Sequence, residues 1–370
     1  VTNREIVTVQ QPRPQNSSIA QREPAERTED ARAFQSEALS RNTRRNYAIY
    51  MNAWVAYCGR IGVEPYPADA VHLANWLAER AAHGARGGRR HGTGTGQSLG
   101  TVKLAFVAIR VAHKLKGLEL RDTGGIIQST LRGIRRVSGS DQTQVKAMRG
   151  HLIVAVIERL QAVGGPLEAR DAALLSLGYM FARRRSELAG LDWRHAGSSA
   201  AGYLEIEAEH ATLTIAHHKT AMKEGVITIR VPRAENRIAF TAIETWVRLA
   251  EIKPGHPVLR RVRKNGKVGD GRLTLAAIAY IIKRRIYEHL RADGVPDDLA
   301  RTESDLYSSH SLRHGFATTA AENGADLEAI GKITKHRGVK ELRRYVEQAD
   351  ALRMSAHTIP GVGLNKPRRG

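Results

Sequence analysis

Between residue 42 and about residue 136, apolar side chains recur every three or four positions, the interval that lines up one face of an α-helix. Asn42 reads as a cap, and Tyr47, Tyr50, Met51, Trp54, Val55 and Cys58 form the first stripe, with Arg44, Arg45 and Asn46 off it. Leu73, Trp76 and Leu77 mark a second helix, and Val102, Phe106 and Ile109 a third. Ile127, Leu131 and Ile134 mark a fourth, with Arg132, Arg135 and Arg136 beside them. Together these predict a helical domain over 36–138 that packs its apolar faces inward and leaves basic faces outside.

The pattern changes twice along the chain. Residues 84–100, GARGGRRHGTGTGQSLG, are too rich in glycine for a helix and predict a basic loop. A phosphate-cradling role for those glycines fails, because no strand precedes them and no Gly-Lys-Ser/Thr follows. A solvated linker and a loop touching a polyanion both fit. Residues 139–147, rich in Ser, Gly, Asp and Gln, read as a connecting segment to a second domain over 148–358. There the pattern predicts helices over 150–163 and 168–180, the second built on Ala172, Leu174, Leu175, Leu177 and Tyr179. Strands follow over 203–206, 212–216 and 226–231. Helices resume after Ala234, including 274–291 with Ile278, Ile281, Ile282, Ile286 and Leu290. The fold class expected is mainly α with a small antiparallel β-sheet, as a helical domain followed by a mixed α/β domain. Residues 1–35 and 359–370 read as tails.

At 370 residues the chain can close two cores. Lys and Arg number 58 against 37 Asp and Glu, a net charge of +21, which points to a polyanionic partner such as nucleic acid. Ribosomal proteins and membrane-surface binders share that balance. Residues 1–35 hold five arginines and five acids, so the excess belongs to the domains. The single cysteine, Cys58, excludes an internal disulfide and a multi-cysteine zinc cluster. No stretch approaches the ~18 to 20 apolar residues of a membrane span, and no basic start precedes an apolar core. A cytoplasmic protein with no membrane partner is expected.

Candidate chemistry concentrates in HSLRHGFATTAAENGADLEAIGKITKHRGVKELRRY, residues 310–345. His310 and Arg313 are three apart and share a helical face, Asn323-Gly324 breaks that helix, and Tyr345 follows His336 by nine residues. A phenol among that many cations suggests a nucleophile aimed at phosphate.

This run resembles the C-terminal motif of the tyrosine recombinases, the family of phage integrases and Cre- and Xer-type enzymes. Their motif reads His-x-x-Arg, then Gly-His or similar, then Tyr, and the apolar filler Leu312, Phe316, Leu327 and Ile330 fits as well. The resemblance implies an N-terminal core-binding domain that forms half of a clamp on double-stranded DNA, and a C-terminal catalytic domain. It implies that Tyr345 attacks a DNA phosphate, joining the protein to the 3'-phosphate and releasing a 5'-hydroxyl, with no metal, ATP or other cofactor. Arg313, His310 and His336 would hold that phosphate. The family's earlier arginine has the form Arg-x-Ser-Glu-Leu, which among Arg183, Arg184 and Arg185 selects Arg184, with Glu187 to orient it. Its general acid is a lysine between two strands, here Lys219, with Lys223 as the rival. His314 has at most a supporting role.

DNA contacts are expected from Arg44, Arg45, Arg132, Arg135 and Arg344. The working form implied is a homotetramer on two duplexes at the nucleoid of a bacterium, or in a phage or other mobile element, which accessory proteins can join. Integration, excision and resolution all fit. The end after Tyr345, with Leu352, Met354 and Ile359, is either a helix docked on a neighbouring protomer or a flexible tail. One departure stands out: Lys335 occupies the place of the glycine usual before the second histidine, which leaves the turn there open. Type IB topoisomerases and hairpin telomere resolvases use similar residues on one duplex, but the compact length and the Xer-like spacing speak against both.

Overall fold

The computed structural model describes residues 39–83, 96–138, 145–197, 202–215, 226–335 and 343, and the chain divides into two compact units, Val1–Gln142 and Thr143–Gly370. The first unit holds α1 (Arg41–Ile61), α2 (Ala70–His83), α3 (Leu99–Leu115), a 3-10 turn at Thr123–Gly125, and α4 (Ile126–Ser138). The cap of α1 is Ser40, not Asn42: the Ser40 hydroxyl accepts the Thr43 amide at 3.2 Å, and Asn42 already lies inside the helix. Gly62 ends α1 in the left-handed region at φ 72, where glycine carries no Cβ penalty.

Trp54, Cys58, Leu73, Trp76, Leu77, Val102, Ile109, Ile127, Leu131 and Ile134 make the core of this unit. The Trp54 and Trp76 rings meet edge to face at 5.4 Å, and the Trp54 indole donates to the Pro65 carbonyl. Val55, assigned to the α1 stripe, is exposed, because it sits one residue round the helix from Trp54. Residues 84–95 of the glycine-rich loop lie outside the described residues, but Leu99 and Gly100 already belong to α3, which Ser98 caps.

The second unit opens with α5 (Gly150–Val163), α6 (Pro166–Met180) and α7 (Arg185–Ala189). The strands β1 (Leu191–Trp193), β2 (Gly202–Ile206), β3 (His210–Ile215) and β4 (Ile227–Pro232) form one sheet in that order. Next come α8 (Arg237–Leu249), the hairpin of β5 (Arg260–Val262) and β6 (Val268–Arg272), and α9 (Leu275–Ala292). The described helices close with α10 (Asp297–Asp305), α11 (Ser309–Glu322) and α12 (Leu327–Thr334). Strands β2, β3 and β4 pair antiparallel as expected, with Leu204 opposite Leu213 and Leu213 opposite Ile229. The edge strand β1 adds a parallel pairing to β2, and β5–β6 is a second sheet.

Helix α6 is the axis of this unit, buried from Arg170 through Gly178 and packed against α5, α8 and α11. The charges it carries inward are matched: Asp171 accepts Arg285 of α9 at 2.7 Å, and Arg285 also donates to Glu168 and Glu288. Unpaired, such a charge would cost several kcal/mol.

Residues 145–149 run along α11, although 145–147 read as connector from composition. The Lys146 amide donates to the Leu306 carbonyl, the Met148 amide to Ser311, and His314 Nδ1 to the Val145 carbonyl at 3.1 Å. Gly315 permits this approach, since a Cβ there would lie 1.8 Å from the Met148 carbonyl oxygen. His314 is thereby a packing residue. Burial pushes its pKa below the usual histidine value, nearby Arg149 adds to the depression, and the bond to Val145 opposes it.

Two outcomes follow from this contact. Gly315→Ala should cost at least about 2 kcal/mol, read as a lower urea midpoint, because backbone must move to admit the methyl; an unchanged midpoint would disprove the close approach. A histidine with a depressed folded pKa contributes its full stability above the unfolded value of about 6.5 and loses it as the pH falls toward the folded value. Wild-type stability should therefore drop between pH 7.5 and pH 5.5, and drop less in His314→Gln; equal drops would remove His314 as a source.

Candidate active site

The site begins where α6 stops. Met180 is its last residue, and Ala182 then takes a left-handed conformation at φ 50, which turns the chain sharply before α7. Arg184 follows in extended conformation as the N-cap of α7. Glu187, buried in the first turn, accepts the Arg184 amide at 3.1 Å through Oε2 and Arg184 Nη1 at 2.9 Å through Oε1. One carboxylate thus satisfies a helix N-terminus and fixes a guanidinium, which is the physical content of the Arg-x-Ser-Glu-Leu spacing. The Arg184 side chain remains 40% exposed.

Its neighbours differ in depth. Arg185 is exposed, whereas Arg183, which the motif's form passes over, is 1% exposed. Arg183 Nε donates to the Phe181 carbonyl at 2.5 Å and Nη2 to the Ile333 carbonyl in the last turn of α12, while Nη1 lies 3.7 Å from Glu187. Burial lowers its pKa to about 10, against the opposing pull of Glu187 and with a smaller push from Arg184.

The histidine and arginine of the His-x-x-Arg motif both stand in the first half of α11, which Ser308 caps by accepting the His310 amide at 3.1 Å. His310 is exposed. Arg313, 1% exposed, reaches beneath the corner and donates from Nη1 to the Ala182 carbonyl at 3.0 Å. Asn323-Gly324 ends α11 and α12 begins at Leu327, as the spacing predicts.

Lys335 closes α12 at φ 52 and ψ 45, its amide donating to the Gly331 carbonyl at 2.7 Å. That is the left-handed conformation glycine adopts at no cost. The turn before His336 is therefore one that suits glycine, held here by a lysine.

His336, Tyr345 and Arg344 lie outside the described residues, as do Lys219 and its rival Lys223. The two lysines fall between β3 and β4, neighbours paired with Ile215 opposite Ile227. Arg45, Arg132 and Arg135 are exposed on the helical unit, and Arg44 is partly buried. The β5–β6 hairpin presents Arg261, Arg263, Lys264 and Lys267, all exposed and not foreseen as a basic surface. Asn265-Gly266, with Gly266 at φ 80, was the available signal for its turn.

Comparison with known proteins bears on this arrangement. Residues 146–351 match the family model described as the phage integrase family. The chain is 25% identical over 321 residues to an integrase/recombinase xerD homolog of Selenomonas ruminantium, spanning 85% of this chain and 84% of that one. It is 24% identical over 315 residues to the tyrosine recombinase XerD of Haemophilus influenzae, spanning 85% and 89%. In fold it resembles the Tn1549 transposon integrase in complex with transposon right end DNA, at a TM-score of 0.53 and 14% identity over 86% of this chain and 95% of that one. A lambda integrase dimer bound to a COC' core site gives a TM-score of 0.50 at 12% identity, over 87% and 75%.

Lys335→Gly should stabilise the protein by about 0.5 to 1 kcal/mol, the relief of left-handed strain net of glycine's freedom in the unfolded chain. Urea unfolding tests this, and a lower midpoint would show that the lysine is held there by something stronger than the strain.

Proposed function

Because the chain belongs to the phage integrase family, we propose that it is a site-specific recombinase that breaks and rejoins DNA through a 3'-phosphotyrosyl intermediate. The observation that supports this most is the bond of Arg313 to the Ala182 carbonyl, two residues before Arg184, which brings a motif arginine of α11 to the corner that presents the other, itself held by Glu187. An in-line attack on a phosphodiester raises the negative charge on its two non-bridging oxygens, and fixed guanidinium groups lower the barrier by offsetting that charge. Arg184 has the exposure to reach such a phosphate, and Glu187 limits its motion.

In the reaction, the Tyr345 oxygen bonds to phosphorus and the bond to the 5'-oxygen breaks. Lys219, or Lys223 in its place, gives the departing 5'-oxygen its proton, and His310 and His336 bind the phosphate or take up the phenolic proton. One phosphodiester replaces another, so bond energy is kept and a 5'-hydroxyl from a second strand reverses the step without ATP. Four such cleavages exchange two duplexes, which calls for a homotetramer, with the end beyond Tyr345 as a means of joining protomers and accessory proteins as possible additions. Arg44, Arg45, Arg132, Arg135 and Arg344 contact the DNA backbone, a charge-driven term that weakens with salt. The setting that fits is the cytoplasm, at the nucleoid. No helix among the described residues is long and apolar enough to cross a membrane.

The test uses a duplex selected from a random-sequence pool by binding to the full chain, prepared with nicks at successive positions so that a released fragment traps the cleaved state. Wild type should form a denaturation-resistant adduct in excess chelator, and Tyr345→Phe none. Arg184→Ala should bind the duplex and form adduct at least about 100-fold more slowly. An adduct in Tyr345→Phe would reject the nucleophile, and a strict magnesium requirement would reject the reaction class.

A further inference from the structure

We infer that Arg183 is a positioning residue for DNA cleavage: its guanidinium ties the end of α12, from which His336 follows, to the corner that presents Arg184. The inference rests on the recombinase assignment above and extends it to a residue outside the motif.

Two features separate Arg183 from an ordinary buried arginine. Arg285, another buried arginine of this unit, is surrounded by carboxylates from Asp171, Glu168 and Glu288. Arg183 has one carboxylate near it, Glu187, at 3.7 Å, and that group is already bonded to Arg184. Its close bonds are to carbonyls instead. An apolar side chain would fill the same volume without the cost of burying a charge. What the guanidinium alone supplies is a rigid fork with donors directed at two different elements.

Both acceptors are places where the backbone needs a donor. The Ile333 carbonyl lies in the last turn of α12, where carbonyls lack intrahelical partners and a cation is favoured by the helix dipole. The Phe181 carbonyl lies next to that of Ala182, which Arg313 takes. Two arginines thus grip consecutive carbonyls of one left-handed corner. One of them is the motif arginine itself, and the other continues to a helix end three residues before His336. Arg183 therefore sets how far the end of α12 stands from the Arg184 corner, without facing the DNA.

The experiment compares wild type, Arg183→Lys and Arg183→Met as full chains on the selected nicked duplex, measuring affinity and, at saturating DNA, the rate of adduct formation. Lysine keeps the charge but not the two-carbonyl fork. Arg183→Lys should bind as wild type does and form adduct about 10-fold more slowly, and Arg183→Met up to about 100-fold more slowly, the range expected when a reacting group is displaced by about 1 Å. If Arg183→Met does not fold, Arg183→Lys decides alone. Adduct formation at the wild-type rate, or affinity and rate falling together, would overturn the inference. Absence of any wild-type adduct would instead overturn the recombinase assignment, so the two failures are distinct.

Discussion

The hydrogen bond from Arg313 to the Ala182 carbonyl joins residues 131 positions apart, and the second unit is arranged around it. It requires α11 to lie against α6, which Gly178 permits, since Leu312 of α11 sits over it, while Gly315 on α11 admits the Met148 backbone. It also requires a carbonyl to point inward at the end of α6, which the left-handed step at Ala182 supplies. Remove either condition and the buried Arg313 guanidinium loses the Ala182 carbonyl. Packing and electrostatics are therefore coupled here, because the core that excludes water is also what makes each polar contact in the corner strong.

The corner concentrates positive charge against its surroundings. Arg183, Arg184 and Arg313 converge there, and Glu187 is the carboxylate that touches two of them. Elsewhere in the unit, buried charge is balanced closely, as in the cluster around Asp171 and Arg285. Of the three arginines at the corner, Arg184 is the one with exposure to receive an anion, and Arg183 and Arg313 are buried behind it.

Much of the fold was legible because its helices are amphipathic over three or more turns, as at Leu73, Trp76 and Leu77, and β2 to β4 have apolar or β-branched runs. β1 was not, because three residues carry no period, and β6 reads Val-Gly-Asp-Gly-Arg, with two glycines where a strand would show side chains. Asn42 and Ser40 are both good caps, and only the backbone conformation distinguishes them. In the site, the spacing of His310 and Arg313 and the form of the Arg184 motif could be read directly. The inward turn of Arg183 could not. Three adjacent arginines are chemically alike on paper, and it is the turn at Ala182 that decides which one is buried.

The β5–β6 hairpin has a consequence for how copies of this protein meet. A two-stranded sheet leaves open edges whose amides and carbonyls can template another strand. Here the ribbon bears Arg261, Arg263, Lys264 and Lys267 around its turn, so a second copy approaching there strand to strand would bring like charges together. The same side chains that suit a polyanion thus oppose strand-to-strand stacking of two copies at this ribbon.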